Sequence, residues 1–271
     1  MSATDIKYHL GFGRADLGDD PPTLALLCGD PERTRAIALE TAGVHCEREL
    51  STRRGLNSYL LRLDNGKRLL AATSGMGAPS LSIVVNELFD LGVRQMIRVG
   101  TCGSIQEDVE VGSQVISRAA LCRQGAASDI APVEYPAAAN PFLTQALVEA
   151  AEQLSLPWHL GITASVDTFY EGQERTTSSA NKHLLRRLQG TTEEYRHLNI
   201  LNYEMEAGTL FKMAGVYGFA AACVCGVLAD RTSSEAVVMA RKEAAVDGAI
   251  RVALQATAML DPRYLQPAYL R

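Results

Sequence analysis

The sequence predicts one single-domain α/β protein, a three-layer α/β/α arrangement around a mixed, mainly parallel sheet. Three observations predict it. Short apolar runs rich in β-formers alternate with longer segments of helical periodicity. The strands so predicted run into loops carrying glycines and polar or charged residues, where ligands of such folds bind. No internal repeat, low-complexity tract or linker divides the 271 residues, a length that suits one large domain spanning 1–271.

TLALLC (23–28) reads as a buried strand that breaks at Gly29. Asp30-Pro31 then supplies an N-cap and a proline at the first helical position, opening a helix expected to run to about residue 42. Tyr59–Leu63 and Leu69–Thr73, joined through Asp64-Asn65-Gly66, read as a hairpin. Leu81, Val84, Val85, Leu88 and Leu91 recur at helical spacing. MIRVG (96–100) is a short strand, 142–154 an amphipathic helix, and 161–166 and 219–228 further strands. An Ala-rich helix is expected from Ser234 to about Leu260, and the tail 261–271 has no assignment.

A hydrophobic content of 47% provides a full core. The formal net charge of −5 gives no basic field for nucleic acid or an anionic membrane, so any bound anion must be caught locally. The six cysteines show no zinc-type spacing with histidines, and Cys223 and Cys225 read as reduced core thiols. MSATDIKYHLGFG lacks the apolar core of a signal peptide, and no apolar run reaches the ~18 residues of a membrane span. A soluble cytoplasmic protein is expected.

The polar loops carry the chemistry. Gly29 opens a helix whose free N–H groups favour an anion, with Arg33 in the first turn; a plain N-cap explains the same residues. Arg98 lies within a strand expected to be buried and therefore needs a fixed anion, either a structural carboxylate or a ligand. Gly100-Thr101-Cys102-Gly103 is expected to follow as a loop offering close backbone approach and a hydroxyl. Thr73–Pro79 is another small-residue loop opening a helix. After the strand 161–166, Phe169 can stack on a flat ligand. The Gln173 amide offers a donor beside an acceptor, matching an edge such as that of a pyrimidine ring, with Arg175 nearby. An ordinary exposed loop is the alternative. Arg231 follows the strand 219–228. In NYEMEA (202–207), Glu204 and Glu206 flank Met205: both face one way in a strand and point about 200° apart on a helix.

Five of these stretches occur in order: CGDPER (28–33), SGMGAPS (74–80), RVGTCGSI (98–105), DTFYEGQER (167–175) and NYEMEA (202–207). Together they resemble the nucleoside phosphorylase-I family, most closely its uridine phosphorylases, and the likeness runs from about Ile6 to beyond Arg231. The resemblance implies a phosphorylase/hydrolase-like fold and reversible phosphorolysis of uridine to uracil and ribose 1-phosphate. It implies no cofactor and no metal, with inorganic phosphate as co-substrate. Phosphate would be held by Gly29, Arg33, Arg98 and Thr101, joined by an arginine of a neighbouring subunit. Arg54 fits that role by spacing, with Arg53 and Arg48 nearby. Met205 and Glu206 would hold ribose, with His9 reaching over from the neighbour; Phe169, Gln173, Arg175 and Arg231 would receive the base. A catalytic set of Arg98, Gln173, Arg175 and Glu206 follows, in a homo-oligomer with a dimer as its minimal unit and a hexamer as its larger form.

The segment from Glu40 to Arg54 is longer than in the bacterial relatives, which puts any interface cation in doubt. Asp230 stands where the uridine enzymes tend to carry Asn, and an acid there is able to protonate a purine. Purine phosphorolysis, nucleoside hydrolysis and non-catalytic nucleoside binding are the alternatives.

Overall fold

The computed structural model describes residues 6–232 and 239–265. Among the described residues nine strands form one sheet: β1 (Leu24–Cys28), β2 (Val44–Ser51), β3 (Ser58–Leu63), β4 (Arg68–Thr73), β5 (Gln95–Ser104), β6 (Gln114–Arg123), β7 (Trp158–Val166), β8 (Ile200–Glu204) and β9 (Ala220–Asp230). Seven α-helices among the same residues cover it: α1 (Pro31–Leu39), α2 (Ala78–Asp90), α3 (Gly125–Ile130), α4 (Pro141–Gln153), α5 (Thr191–His197), α6 (Ala207–Tyr217) and α7 (Met239–Met259).

The strand order is β2-β3-β4-β1-β5-β8-β7-β6-β9, and β9 returns to pair with β5. Strands β5, β8, β7, β6 and β9 therefore close into a ring, from which β1, β4, β3 and β2 extend as an open wing. Five pairings are parallel and four antiparallel, which is the mixed sheet expected.

All of β1 is buried, and its side chains divide by the period of two between both faces. Ala25 and Leu27 pack with Leu81, Val84, Val85 and Leu88 of α2 and with Leu210, Phe211 and Met213 of α6. Leu24, Leu26 and Cys28 join the opposite layer, with Ile37 of α1, Leu147 and Ala150 of α4, and Ala249 and Ala253 of α7. These are the three layers. A smaller cluster seats Tyr195 of α5 on Ala164 and Val166 of β7 and Tyr203 of β8.

The expected caps form: Asp30 accepts from the Glu32 N–H at 2.9 Å at the start of α1. That helix stops at Leu39 rather than near residue 42, because Thr41-Ala42-Gly43 turns into β2. A larger correction concerns Gly100–Gly103, expected as a loop. These residues continue β5, since they pair with β9 throughout, and from Gly103 onward with β8 as well. The expected start of the last helix at Ser234 lies outside the described residues, as does the tail beyond 265. No helix among the described residues is long and apolar enough to cross a membrane.

Gly226 marks the closest approach of β9 to α7. A Cβ there would collide with the backbone carbonyl of Ala245 and lie 3.1 Å from its Cβ. Gly226→Ala is therefore expected to lower the unfolding free energy by about 1–3 kcal/mol, read as an earlier urea midpoint at unchanged slope. A midpoint equal to wild type would show that the helix shifts freely.

Candidate active site

Strand ends converge on one cleft of about 520 Å³. Gly29 directly follows β1, Arg98 and Thr101 lie on β5, the loop after β7 brings Phe169, Gln173 and Arg175, and β8 ends at Glu204, followed by Met205 and Glu206. All of these line the cleft.

Arg98 is buried at its centre and bound to both acids of the 202–207 stretch. Its Nε donates to Glu204 Oε2 at 3.0 Å, and its Nη2 pairs with Glu206 Oε2. Gly100 makes room for this guanidinium: a Cβ there would lie 3.0 Å from Arg98 Nη2 and 2.8 Å from Cys225 Sγ. Burial opposes the Arg98 charge, but Glu206 and then Glu204 outweigh it and hold the group firmly protonated.

The two acids differ. Glu204 Oε2 also accepts the backbone N–H groups of Glu206 and Ala207 at 2.8 and 2.9 Å, which caps α6, while Oε1 accepts the Ser165 hydroxyl. Burial pushes the Glu204 carboxyl up to about 7, against the opposing pull of Arg98. Glu206 is the N-cap residue of α6 by position, yet its side chain reaches the Gly77 N–H at the start of α2. Each carboxylate thus meets a helix N-terminus, and Glu206 meets that of a different helix.

Two buried donors at the Gly29 end have no hydrogen-bond partner among the described residues: Arg98 Nη1 and Arg33 Nε. Arg98 Nη1 lies 3.9 Å from the position of a Cβ on Gly29, and Arg33 Nη1 donates to the Val99 carbonyl at 3.2 Å. Buried guanidinium donors left unsatisfied in a cleft suit an anion with several acceptor oxygens. At the other end Arg175 Nε donates to Gln173 Oε1 at 3.2 Å, and the guanidinium lies 4.0 Å from the centre of the Phe169 ring. Gln173 and Arg175 are buried, whereas Phe169 is 39% exposed, so the ring forms a rim. Among the described residues no group of three or more His, Cys, Asp or Glu is arranged to hold a metal ion.

The family model of the Phosphorylase superfamily matches residues 23–261. The chain belongs to the phosphorylase superfamily. Among its relatives, the uridine phosphorylase of Salmonella typhimurium is 40% identical over 235 residues, 87% of this chain and 90% of that protein. The uridine phosphorylase of Haemophilus influenzae is 39% identical over 250 residues, 91% and 96% of the two chains. A guanosine phosphorylase of Halorubrum lacusprofundi is 31% identical over 208 residues, covering 77% and 78%.

Three residues expected at this superfamily site do not line the cleft of their own chain: His9, Arg54 and Arg231. Arg231 stands behind it and donates from Nη2 to the Gln173 carbonyl at 2.9 Å, holding the backbone that presents the amide. His9 lines a separate hollow, with its Nδ1 2.6 Å from Glu87 Oε1; Glu87 also accepts from the N–H groups of His9 and Leu10. Burial pushes the Glu87 carboxyl up, but the Leu10 and His9 hydrogen bonds outweigh it and leave it below its ordinary value. Arg54 is exposed, donates to the Tyr8 hydroxyl at 3.1 Å, and lies with Arg53 over the Tyr8 ring at 5.1 Å each. Arg48 is ion-paired to Asp16 at 3.2 Å, whereas Arg53 and Arg54 have no carboxylate partner among the described residues.

The sequence reading missed the Ser165 hydroxyl and Lys242, which lines the cleft from the start of α7. Neither stands in a motif. Lys242 is one of four consecutive exposed residues, 241–244, near the start of α7, and Ser165 was hidden inside a strand.

The Glu204 assignment has a pH signature. Its carboxyl titrates near 7 when folded and near 4.5 when unfolded, so protonation stabilises the fold. That contribution is complete below pH 4.5 and is lost as pH rises through 7. Relative to Glu204→Gln, which cannot titrate, wild-type unfolding free energy should fall by roughly 1–3 kcal/mol across this window. Denaturation at a series of pH values measures it; a constant difference contradicts the assignment.

Proposed function

We propose that this protein is a uridine phosphorylase, cleaving uridine with inorganic phosphate to uracil and ribose 1-phosphate. One observation carries the reading: unsatisfied buried donors of Arg33 and Arg98 share a cleft with the buried Gln173–Arg175 pair, and Glu206 lies between the strands that bring them. The names of the relatives above support the same substrate.

Phosphate occupies the end formed by Gly29, Arg33, Arg98 and Thr101, where the N-terminus of α1 adds its positive pole. Ribose lies against Met205 and Glu206. Uracil presents its N–H and carbonyl edge to Gln173, with Phe169 over its face and Arg175 beside it. The bond from C1′ to the base breaks with its electron pair leaving on the uracil ring. A phosphate oxygen then bonds to C1′, and the ring takes up a proton. Positive charge gathers on the sugar, next to the phosphate dianion and the Glu206 carboxylate. Negative charge gathers on the base, where Arg175 and Gln173 are already fixed by each other and by Arg231. Stabilisation of this kind acts in the transition state more than in the bound substrate, and therefore raises kcat. The reaction calls for no cofactor.

Arg33 and Arg98 weigh against hydrolysis, which needs no anion clamp. Purine cleavage loses its support at Asp230. Its Oδ1 accepts the Thr232 N–H at 2.8 Å and the Thr232 hydroxyl at 2.5 Å, and Asp230 is not among the residues lining the cleft. The six free cysteines suit a reducing compartment, which supports a cytoplasmic location.

The site is completed by a second copy of the chain. His9 and Arg54 are joined through Tyr8, whose ring lies 4.9 Å from that of His9, and neither lines the cleft of its own chain. We assign His9 to the ribose 5′-hydroxyl of the neighbour and Arg54 to its phosphate, the absence of a carboxylate on Arg54 favouring it over Arg48. A dimer is the minimal active unit, and a hexamer would be three such dimers.

Two measurements test this reading. Uracil release from uridine should require phosphate, and Arg175→Ala should lower kcat/KM by about 10²–10³. Equal release without phosphate, or an Arg175→Ala variant near wild type, refutes it. Sedimentation under assay conditions should find a dimer or larger; a fully active monomer removes His9 and Arg54 from the site.

A further inference from the structure

Lys242 enters the cleft near the start of α7 and has no part in the chemistry above. It is the one lysine among the described residues of the lining. Four cations line the cleft, Arg33, Arg98, Arg175 and Lys242, together with three carboxylates, Asp30, Glu204 and Glu206. Their placement decides which charge an arriving anion meets. Arg98 is engaged by both Glu204 and Glu206. Arg175 lies at the far end, stacked on Phe169 and bonded to Gln173. Arg33 and Lys242 have no carboxylate partner among the described residues.

Without Lys242 the formal charges that this chain itself places around the cleft cancel, so apart from the neighbour's Arg54 a phosphate dianion approaching a chain of net charge −5 gains nothing from them at a distance. With it, the lining is net positive. The residue type suits such a role. Arg33 is anchored to the Val99 carbonyl and Arg98 is clamped between two acids, whereas an exposed lysine carries a compact charge on a long stem and can follow an incoming anion.

We propose that Lys242 is a phosphate-recruiting residue, which draws the dianion into the cleft, where Arg33 and Arg98 hold it. The assignment rests on the phosphorolysis reading, and its test is separable from it. Lys242→Met should lower kcat/KM for phosphate by about 3–10-fold at low ionic strength and flatten its dependence on added salt, leaving KM for uridine in place. Lys242→Arg should restore most of the loss. Arg251→Gln, which removes a positive charge from the same helix outside the cleft lining, should leave both kinetic constants unchanged.

A Lys242→Met enzyme within about twofold of wild type with the same salt slope overturns the proposal, and so does an equal loss in Arg251→Gln, which would assign the effect to net charge alone. If the wild type fails to cleave uridine, the functional reading falls. Calorimetric binding of inorganic phosphate to wild type and Lys242→Met then decides for Lys242: weaker binding in the variant upholds it, and equal binding refutes it.

Discussion

One buried guanidinium organises this molecule. Arg98 lies in the middle of β5, and its two acids come from the end of β8 and the N-cap position of α6. A charge in that position would be prohibitive alone, and two carboxylates with their own supporting donors make it tolerable. Glu204 collects Ser165 and the N-terminus of α6; Glu206 collects the N-terminus of α2. Three sheet strands, β5, β7 and β8, and two helices are thereby tied at one point. Breaking any tie leaves a buried donor or a buried charge behind, so the network holds together or fails together.

The same arrangement divides the cleft. Arg98 presents Nε and Nη2 to the acids and leaves Nη1 on the Gly29 side. The opposite end is built from the loop after β7, which owes nothing to that network and is steadied instead by Arg231 from beyond β9. A site whose anion end and ring end rest on different strands can vary its ring specificity without disturbing the anion clamp. This is the economy of α/β folds, in which a fixed sheet carries exchangeable loops.

Much of this was legible in the chain. Strong apolar runs such as TLALLC and FAAACVCGVL declared their strands, and the helical spacing of Leu81, Val84, Val85 and Leu88 declared α2. Arg98 announced its need for an anion because a guanidinium amid apolar neighbours has few explanations, although only the structure shows that two structural acids and a free Nη1 answer it together. Weakly patterned elements stayed hidden. Strand β2 reads VHCERELS, a charged edge with little apolar content, and β8 spends half its length on the polar residues that make the site. The extension of β5 through Gly100–Ser104 was masked by glycine and threonine, which look like a loop until the pairing with β9 is known. Lys242 was invisible, since a lysine on a helix carries no mark of what it faces.

The closed ring of strands has a consequence for how the protein is made. Arg98 and Glu204 are separated by 106 residues, and β5 closes the ring with β9 only after β6, β7 and β8 exist. A chain leaving the ribosome therefore carries its central guanidinium for more than a third of its length with no acid to meet it. The open wing of β1–β4 can form early from local hairpin and crossover contacts, but the ring is a late, long-range event. The NYEMEA stretch gives the waiting arginine both of its partners, and the cleft is complete only once β9 and the start of α7 have followed it.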